Sequence, residues 1–391
     1  MKALKNLVIL ITLILSLQVV SAQQNISFEH GTWAEVLAKA GKENKLVFVD
    51  AYTTWCGPCK WMSAKTFTDP SVSAYYNKTF INYKFDMEKG EGLKFAKDYQ
   101  INAYPSLLFV DAKGDLVQKA VGALPADKFL DLGKRVIEGG MMSLSASVRK
   151  FESGDYDRKF LHDYLLRVAE SRLPYEKALD AYRPYLAGEK LLESESWDIF
   201  RKLFKRTTTD EFHYFKDNQE KFIQLYGKKD VKDKVISNYS FDMFMAIRER
   251  KDATYKQLRK EMKKLKYDDT SVVLGMQDMS YFKSKGNWKK YAKTAVKTVG
   301  NMQVHDPGFL NNTAWSFYEK VEKKKYLEEA VKWAKMSIDL APSYYNMDTY
   351  AMLLYKVGRV ADAKTAARAA IEKAGQEGED ATETKKALEK M

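Results

Sequence analysis

The chain of 391 residues has only two cysteines, Cys56 and Cys59. With no second pair, a disulfide framework cannot hold the fold, which must stand on its core. A Cys-x-x-Cys bridge closes a tiny loop and hardly constrains the unfolded chain, so a structural staple is a poor reading of the pair. Metal binding is a poor reading too. Zinc asks for four ligands, and the four histidines, His30, His162, His213 and His305, are scattered. Past the N-terminal segment no stretch is long and apolar enough to cross a bilayer. Basic residues outnumber acidic ones, 65 to 52, giving a net charge of +13. They are spread along the chain, with KKLK and KKK runs in helix-like stretches. This reads as a solvated basic surface, and no motif supports a nucleic-acid partner. At 45% hydrophobic and 30% charged residues the chain can bury a core and is not of the disordered class. Its length suits two or three domains of about 150 residues each.

The opening MKALKNLVILITLILSLQVVSAQQ places Lys2 and Lys5 before an apolar run from Leu7 to Val20. Val20-Ser21-Ala22 puts small residues where cleavage after Ala22 requires them. Residues 1–22 are expected to be a signal peptide. No cysteine follows to carry a lipid, and the run is short for a membrane span, so an uncleaved anchor is the lesser alternative. The mature protein is expected to be exported, to a bacterial periplasm, with no stable membrane span after cleavage.

In residues 23–140, strand-like and helix-like patterns alternate. Thr32-Trp33-Ala34-Glu35 is a capping box opening a helix to about Ala40. Lys45–Tyr52 is an apolar, β-branched strand run, and further strands are expected at Phe80–Met87, Ser106–Asp111 and Leu116–Val121. Helices are expected from about Cys59 to Lys65, resuming after Asp69-Pro70 to Asn77, then at Gly92–Tyr99 and Ala126–Glu138. This order implies an α/β layer fold, and Gly139-Gly140 marks its expected end. After residue 140 strand patterns almost vanish, and only four of the eight prolines remain. Amphipathic segments follow at Tyr156–Glu170, Tyr175–Ala187, Trp197–Lys205, Glu211–Tyr226, Val231–Arg248, Thr254–Leu265, Ser271–Lys283 and Asn287–Val299. An all-helical region is therefore expected over 141–300. In 301–391 a repeat appears, with Ala330 and Ala363 in matching places 33 residues apart and Pro342 closing one helix pair. This stretch resembles tetratricopeptide repeats, whose period is about 34. Such stacked pairs either bind a partner in their groove or only pack on themselves.

The chemistry concentrates in DAYTTWCGPCKWMSAKTFTDP, residues 50–70. The thiolate is the reactive form of cysteine, and a free thiol titrates near about 8.5. Cys56 falls at a helix N-terminus, where unpaired N–H groups and the positive dipole end favour the thiolate, and Pro58 suits the first helical turn. Cys59 is one turn further in. The spacing fits a two-step exchange in which Cys56 attacks a disulfide and Cys59 resolves the mixed disulfide.

Trp55-Cys56-Gly57-Pro58-Cys59-Lys60 after an apolar strand resembles the thioredoxin active site, and the resemblance covers about residues 28–138. It implies a thioredoxin-like fold followed by the helical region. It also implies that Asp50, six residues before Cys56, is a buried acid handling the proton of the resolving thiol, with Lys84 as its partner. Pro105 is then a cis-proline facing the cysteines, with the Tyr104 backbone binding an extended substrate. Trp55 becomes a lid beside the thiols, or else packing. The interruption TFTDP resembles an exported branch of the family that includes the C-terminal domain of the membrane thiol-reductant conduit.

Two functions remain open. One is an exported thiol–disulfide oxidoreductase of protein clients, with no cofactor. Gly57-Pro58 matches the family's reducing members, so reduction is favoured over oxidation or isomerisation, and a membrane or soluble thiol donor must supply electrons. The other is a client-binding helical-repeat protein that uses the redox domain as a scaffold.

Overall fold

The computed structural model describes residues 25–138, 142–265, 267–303 and 305–391. The expected signal peptide and the expected boundary at Gly139-Gly140 lie outside the described residues.

The first helix, α1 (Trp33–Glu43), starts where the capping box requires. Thr32 Oγ1 accepts from the Glu35 amide at 3.3 Å, and the Glu35 carboxylate accepts from the Thr32 amide at 2.8 Å. The Lys45 amide is still donating to Ala40 at 3.0 Å, so the following strand begins two residues later than its apolar run suggests. Strand β1 (Val47–Tyr52) pairs in parallel with β2 (Ile81–Asp86) and antiparallel with β3 (Ser106–Val110). Strand β4 (Leu116–Val121) pairs antiparallel with β3. The sheet order is β2-β1-β3-β4, with β1 and β3 inside. Register sets Asp50 of β1 opposite Lys84 of β2.

Side chains alternate across a strand, so Phe48 and Asp50 share a face. That face is filled by Phe48, Phe67, Tyr76, Phe109 and Phe129, all buried. Tyr76 stacks on Phe129 with ring centroids 4.2 Å apart and donates its hydroxyl to the Phe129 carbonyl at 2.8 Å. Helices α3 (Pro70–Thr79) and α5 (Ala126–Glu138) supply these rings. The opposite face carries Tyr83 and Phe85 against Trp33 of α1 and Phe95 of α4 (Glu91–Asp98).

The edge strand β4 is covered from later in the chain. Helix α6 (Leu144–Ser153), which is not among the expected helices, brings Ser145 Oγ to the Leu116 amide at 2.9 Å. Helix α7 (Arg158–Glu170) brings Arg167, whose guanidinium donates to the Val117 carbonyl and, at 2.8 Å, to Gln118 Oε1. Ser171 Oγ then donates to the Lys119 carbonyl at 3.0 Å. Strand edges left open invite pairing with other chains, and here the Leu116 amide and the Val117 and Lys119 carbonyls of β4 have partners. Lys119 itself is buried. Its ammonium donates to the Tyr99 and Gln100 carbonyls at 3.2 and 2.7 Å, completing the end of α4. Burial, with Arg172 nearby, pulls that ammonium down to about 8.

The chain divides into two compact units at Ile199/Phe200, so residues 142–199 belong to the same unit as the sheet. The second unit is all helical over its described residues. The single helix expected over Glu211–Tyr226 is two, Asp210–Asp217 and Gln219–Tyr226. Asn218 ends the first by turning its side-chain amide onto the Tyr214 carbonyl at 2.9 Å. The last four long helices, Pro307–Lys320, Lys324–Leu340, Tyr344–Lys356 and Val360–Glu377, are joined by three-residue links. Ala330 and Ala363 are both fully buried, and small residues at such places let helices approach closely. Among the described residues no helix is long and apolar enough to cross a membrane.

Candidate active site

Strand β1 ends at Tyr52, and the chain turns through Thr53 and Thr54 with the Cys56 amide donating to Thr53 O at 3.2 Å. Cys56 is the N-cap of a short helix, α2 (Gly57–Trp61), with Pro58 in its first turn. Its Sγ accepts from the Cys59 amide at 3.1 Å, so the sulfur occupies the place of an N-cap oxygen, where the dipole end favours negative charge. Cys56 and Cys59 are joined by a disulfide, and each residue is 3% exposed.

Helix α2 runs directly into a π-helical turn, Met62–Thr66. Thr66 Oγ1 donates to Leu124 O at 2.7 Å, anchoring that turn to the segment before α5. Asp69 then caps α3, its Oδ1 accepting from the Ser71 and Val72 amides at 2.9 and 3.1 Å. The break expected at Asp69-Pro70 is therefore a true helix end and restart. The wide turn before it was not foreseen.

Around the sulfurs the exposed surface is aromatic. Trp55 is 65% exposed, and Trp61 is exposed as well. The Trp55 indole N–H donates to both oxygens of Glu88 at 2.9 and 3.0 Å, and its ring meets Tyr104 edge-on at 6.0 Å. The Tyr104–Pro105 peptide is cis, and Pro105 leads straight into β3. The structure thus brings Trp55 and Tyr104 together.

Below this surface a cleft of about 440 Å³ is lined by Tyr52, Thr53, Cys59, Lys60, Ser63 and Lys84. Lys84 connects it to Asp50, which is 1% exposed. The ammonium lies 3.4 Å from Asp50 Oδ2 but donates its short hydrogen bond, 2.6 Å, to Ser63 Oγ. It also sits 5.0 Å above the Tyr52 ring. Neither Asp50 oxygen accepts a hydrogen bond among the described residues. The Asp50–Lys84 pair is therefore one of charge and not of a directed hydrogen bond. Burial pushes the Asp50 carboxyl up to about 6, against the pull of Lys84. A carboxyl poised there can both accept and return a proton near neutral pH.

Three residues of this arrangement escape sequence reasoning: Glu88, Ser63 and Tyr52. Tyr52 follows Asp50 by two on the same strand face, which is a usable signal. Ser63 and Glu88 have none, because their roles exist only once β2 and the π-helical turn lie side by side. The four histidines take no part, and among the described residues no group of three His, Cys, Asp or Glu side chains is placed to hold a metal.

The fold and the paired sulfurs define a thiol–disulfide exchange protein. A thioredoxin-like domain family matches residues 33–137. Thioredoxin H4 of Arabidopsis thaliana is 34% identical over 95 residues, spanning 24% of this chain and 75% of that protein. The thiol:disulfide interchange protein DsbD of Vibrio vulnificus is 32% identical over 104 residues, 26% of this chain and 17% of that one. A solution structure from Bacteroides thetaiotaomicron, provisionally described as a disulphide-isomerase, is 44% identical over 30% of this chain and 98% of its own, with a TM-score of 0.28. The chain belongs to the thioredoxin-like family and is a disulfide oxidoreductase of that type. The family match ends before the helices that follow α5.

Proposed function

We propose that the protein is an exported, periplasmic oxidoreductase that reduces disulfides of client proteins through Cys56 and Cys59. The observation that carries this reading is the site's proton arrangement. Asp50 is buried without a hydrogen-bond partner, and Lys84, which faces it, lines the same cleft as Cys59.

In the first step the Cys56 thiolate attacks a client disulfide. A Cys56–client mixed disulfide forms, and one client sulfur leaves as thiolate. In the second, Cys59 gives its proton to Asp50 and its sulfur attacks Cys56 Sγ. The mixed disulfide breaks, the second client thiolate leaves and takes the proton from Asp50, and the Cys56–Cys59 disulfide remains. Two electrons have passed to the client. A dithiol donor, in the membrane or soluble, returns the pair to its reduced form. Trp55, Tyr104 and Pro105 offer the client its contact surface beside the sulfurs. Gly57 and Pro58 favour the reducing direction, as in the reducing members the motif resembles. The helical region, read as tetratricopeptide-like pairs, selects the client.

The test is reduction of insulin disulfides with dithiothreitol, comparing the full chain with Cys56→Ser. Equal rates would remove the enzymatic reading. Cys59→Ser should accumulate mixed disulfides through Cys56, and a random set of trapped proteins would remove client selection by the helices.

A further inference from the structure

Lys84 faces two acceptors and bonds to only one. Its ammonium is 2.6 Å from Ser63 Oγ and 3.4 Å from Asp50 Oδ2. Ser63 comes from the π-helical turn that continues the active-site helix, whereas Lys84 and Asp50 are register partners on adjacent strands. The wide turn is thus what supplies a competing acceptor within reach of the ammonium. The rings of Tyr52, Phe28 and Phe67, at 5.0, 5.6 and 5.8 Å, surround the same ammonium and limit where it can move.

We propose that Ser63 is a positioning residue of the exchange site: its hydroxyl draws the Lys84 ammonium toward the π-helical turn and so holds it at the longer distance from Asp50. The inference rests on the proton role given to Asp50 above. A carboxylate that accepts a direct hydrogen bond from an ammonium is held ionised and is a poor proton acceptor. One that only feels the ammonium's charge keeps its affinity for the Cys59 proton. The charged and titratable groups that act on Asp50 are Lys84 from β2 and Tyr52 from β1, and Cys59 and Lys60 of α2 line the cleft that Lys84 and Tyr52 share. Asp86 and Lys89 act on Tyr52. Of these, Lys84 is the ammonium that faces Asp50 directly, so its placement governs the carboxyl.

The experiment follows Asp50 by carbon-13 NMR in the full chain labelled at aspartate Cγ, oxidised so that the thiols do not titrate. It uses wild type, Ser63→Ala and Ser63→Thr, with Asp50→Asn to assign the signal. In Ser63→Ala the ammonium has one acceptor left, and the Asp50 midpoint should fall by about one pH unit. Ser63→Thr keeps the hydroxyl and should keep the wild-type midpoint. The alkaline shoulder of single-turnover resolution of a Cys56 mixed disulfide should move with the midpoint. An Asp50 midpoint unchanged or raised in Ser63→Ala overturns the inference. Because the NMR midpoint does not depend on turnover, this failure is separate from that of the functional reading, which Cys56→Ser decides.

Discussion

Replacing Asp50 with Asn should make the protein more stable near neutral pH and worse at exchange. The carboxyl is fully buried, and burial lifts it from 3.8 to about 6. One pH unit of such a shift corresponds to about 1.4 kcal/mol, so ionised Asp50 costs the folded state about 3 kcal/mol. The folded state binds this proton more tightly than the unfolded state does. Stability present at low pH is therefore lost as pH climbs from about 4 to about 6, and the full penalty stands above that window. The Asn amide never ionises and escapes the penalty. It has unmet hydrogen-bonding needs of its own, but these do not vary with pH and cancel when two pH values are compared. Lys84 loses its counter-charge, yet it is part-exposed and keeps Ser63. The advantage of Asp50→Asn over wild type should thus grow by about 2–3 kcal/mol between pH 4 and pH 8. Hydrogen exchange of the β1 amides in the full chain reads this locally, free of the second unit. Meanwhile resolution of the Cys56 mixed disulfide should slow by about 100-fold or more, the usual scale of a lost proton acceptor. A difference that stays flat with pH, or shrinks as pH rises, would refute the reasoning.

Phe129→Ala removes the ring stacked on Tyr76 at 4.2 Å and leaves a void beneath Phe48. It should destabilise the first unit by about 3–5 kcal/mol, read as a lowered denaturation midpoint. Gly92→Ala sets a methyl 1.9 Å from the Asp86 carbonyl oxygen, a backbone atom that cannot step aside. Helix α4 should be displaced at a cost of about 3 kcal/mol, seen as faster hydrogen exchange over residues 91–98, and unchanged protection there would refute the contact.

The layer fold was legible because local signals agreed with tertiary packing. Thr32 and Glu35 close the capping box, and the helix expected over Ala126–Glu138 has those limits. Lys45–Tyr52 began late because Lys45 belongs to the end of α1, a bond that periodicity does not register. In the site, the cysteines and Asp50 could be read from the motif and its offset from the strand. Ser63 could not, since its value comes from a π-helical turn that no residue pattern marks. Helix α6 is a different case, since Ser143 caps it, Leu144, Val148 and Phe151 recur at helical spacing and Gly154 ends it, all local signals outside the expected helices. Long-range pairing hid the role of Ser63, which meets Lys84, 21 residues on, whereas the bond that delays β1 is local.

The covering of β4 bears on where the chain can be cut. With the Leu116 amide and the Val117 and Lys119 carbonyls bonded to Ser145, Arg167 and Ser171, deletion after residue 138 would bare a strand edge, while the Lys119 ammonium would keep the Tyr99 and Gln100 carbonyls. A fragment cut after residue 138 therefore leaves three backbone groups of β4 to water, and one cut after Ser171 keeps their partners.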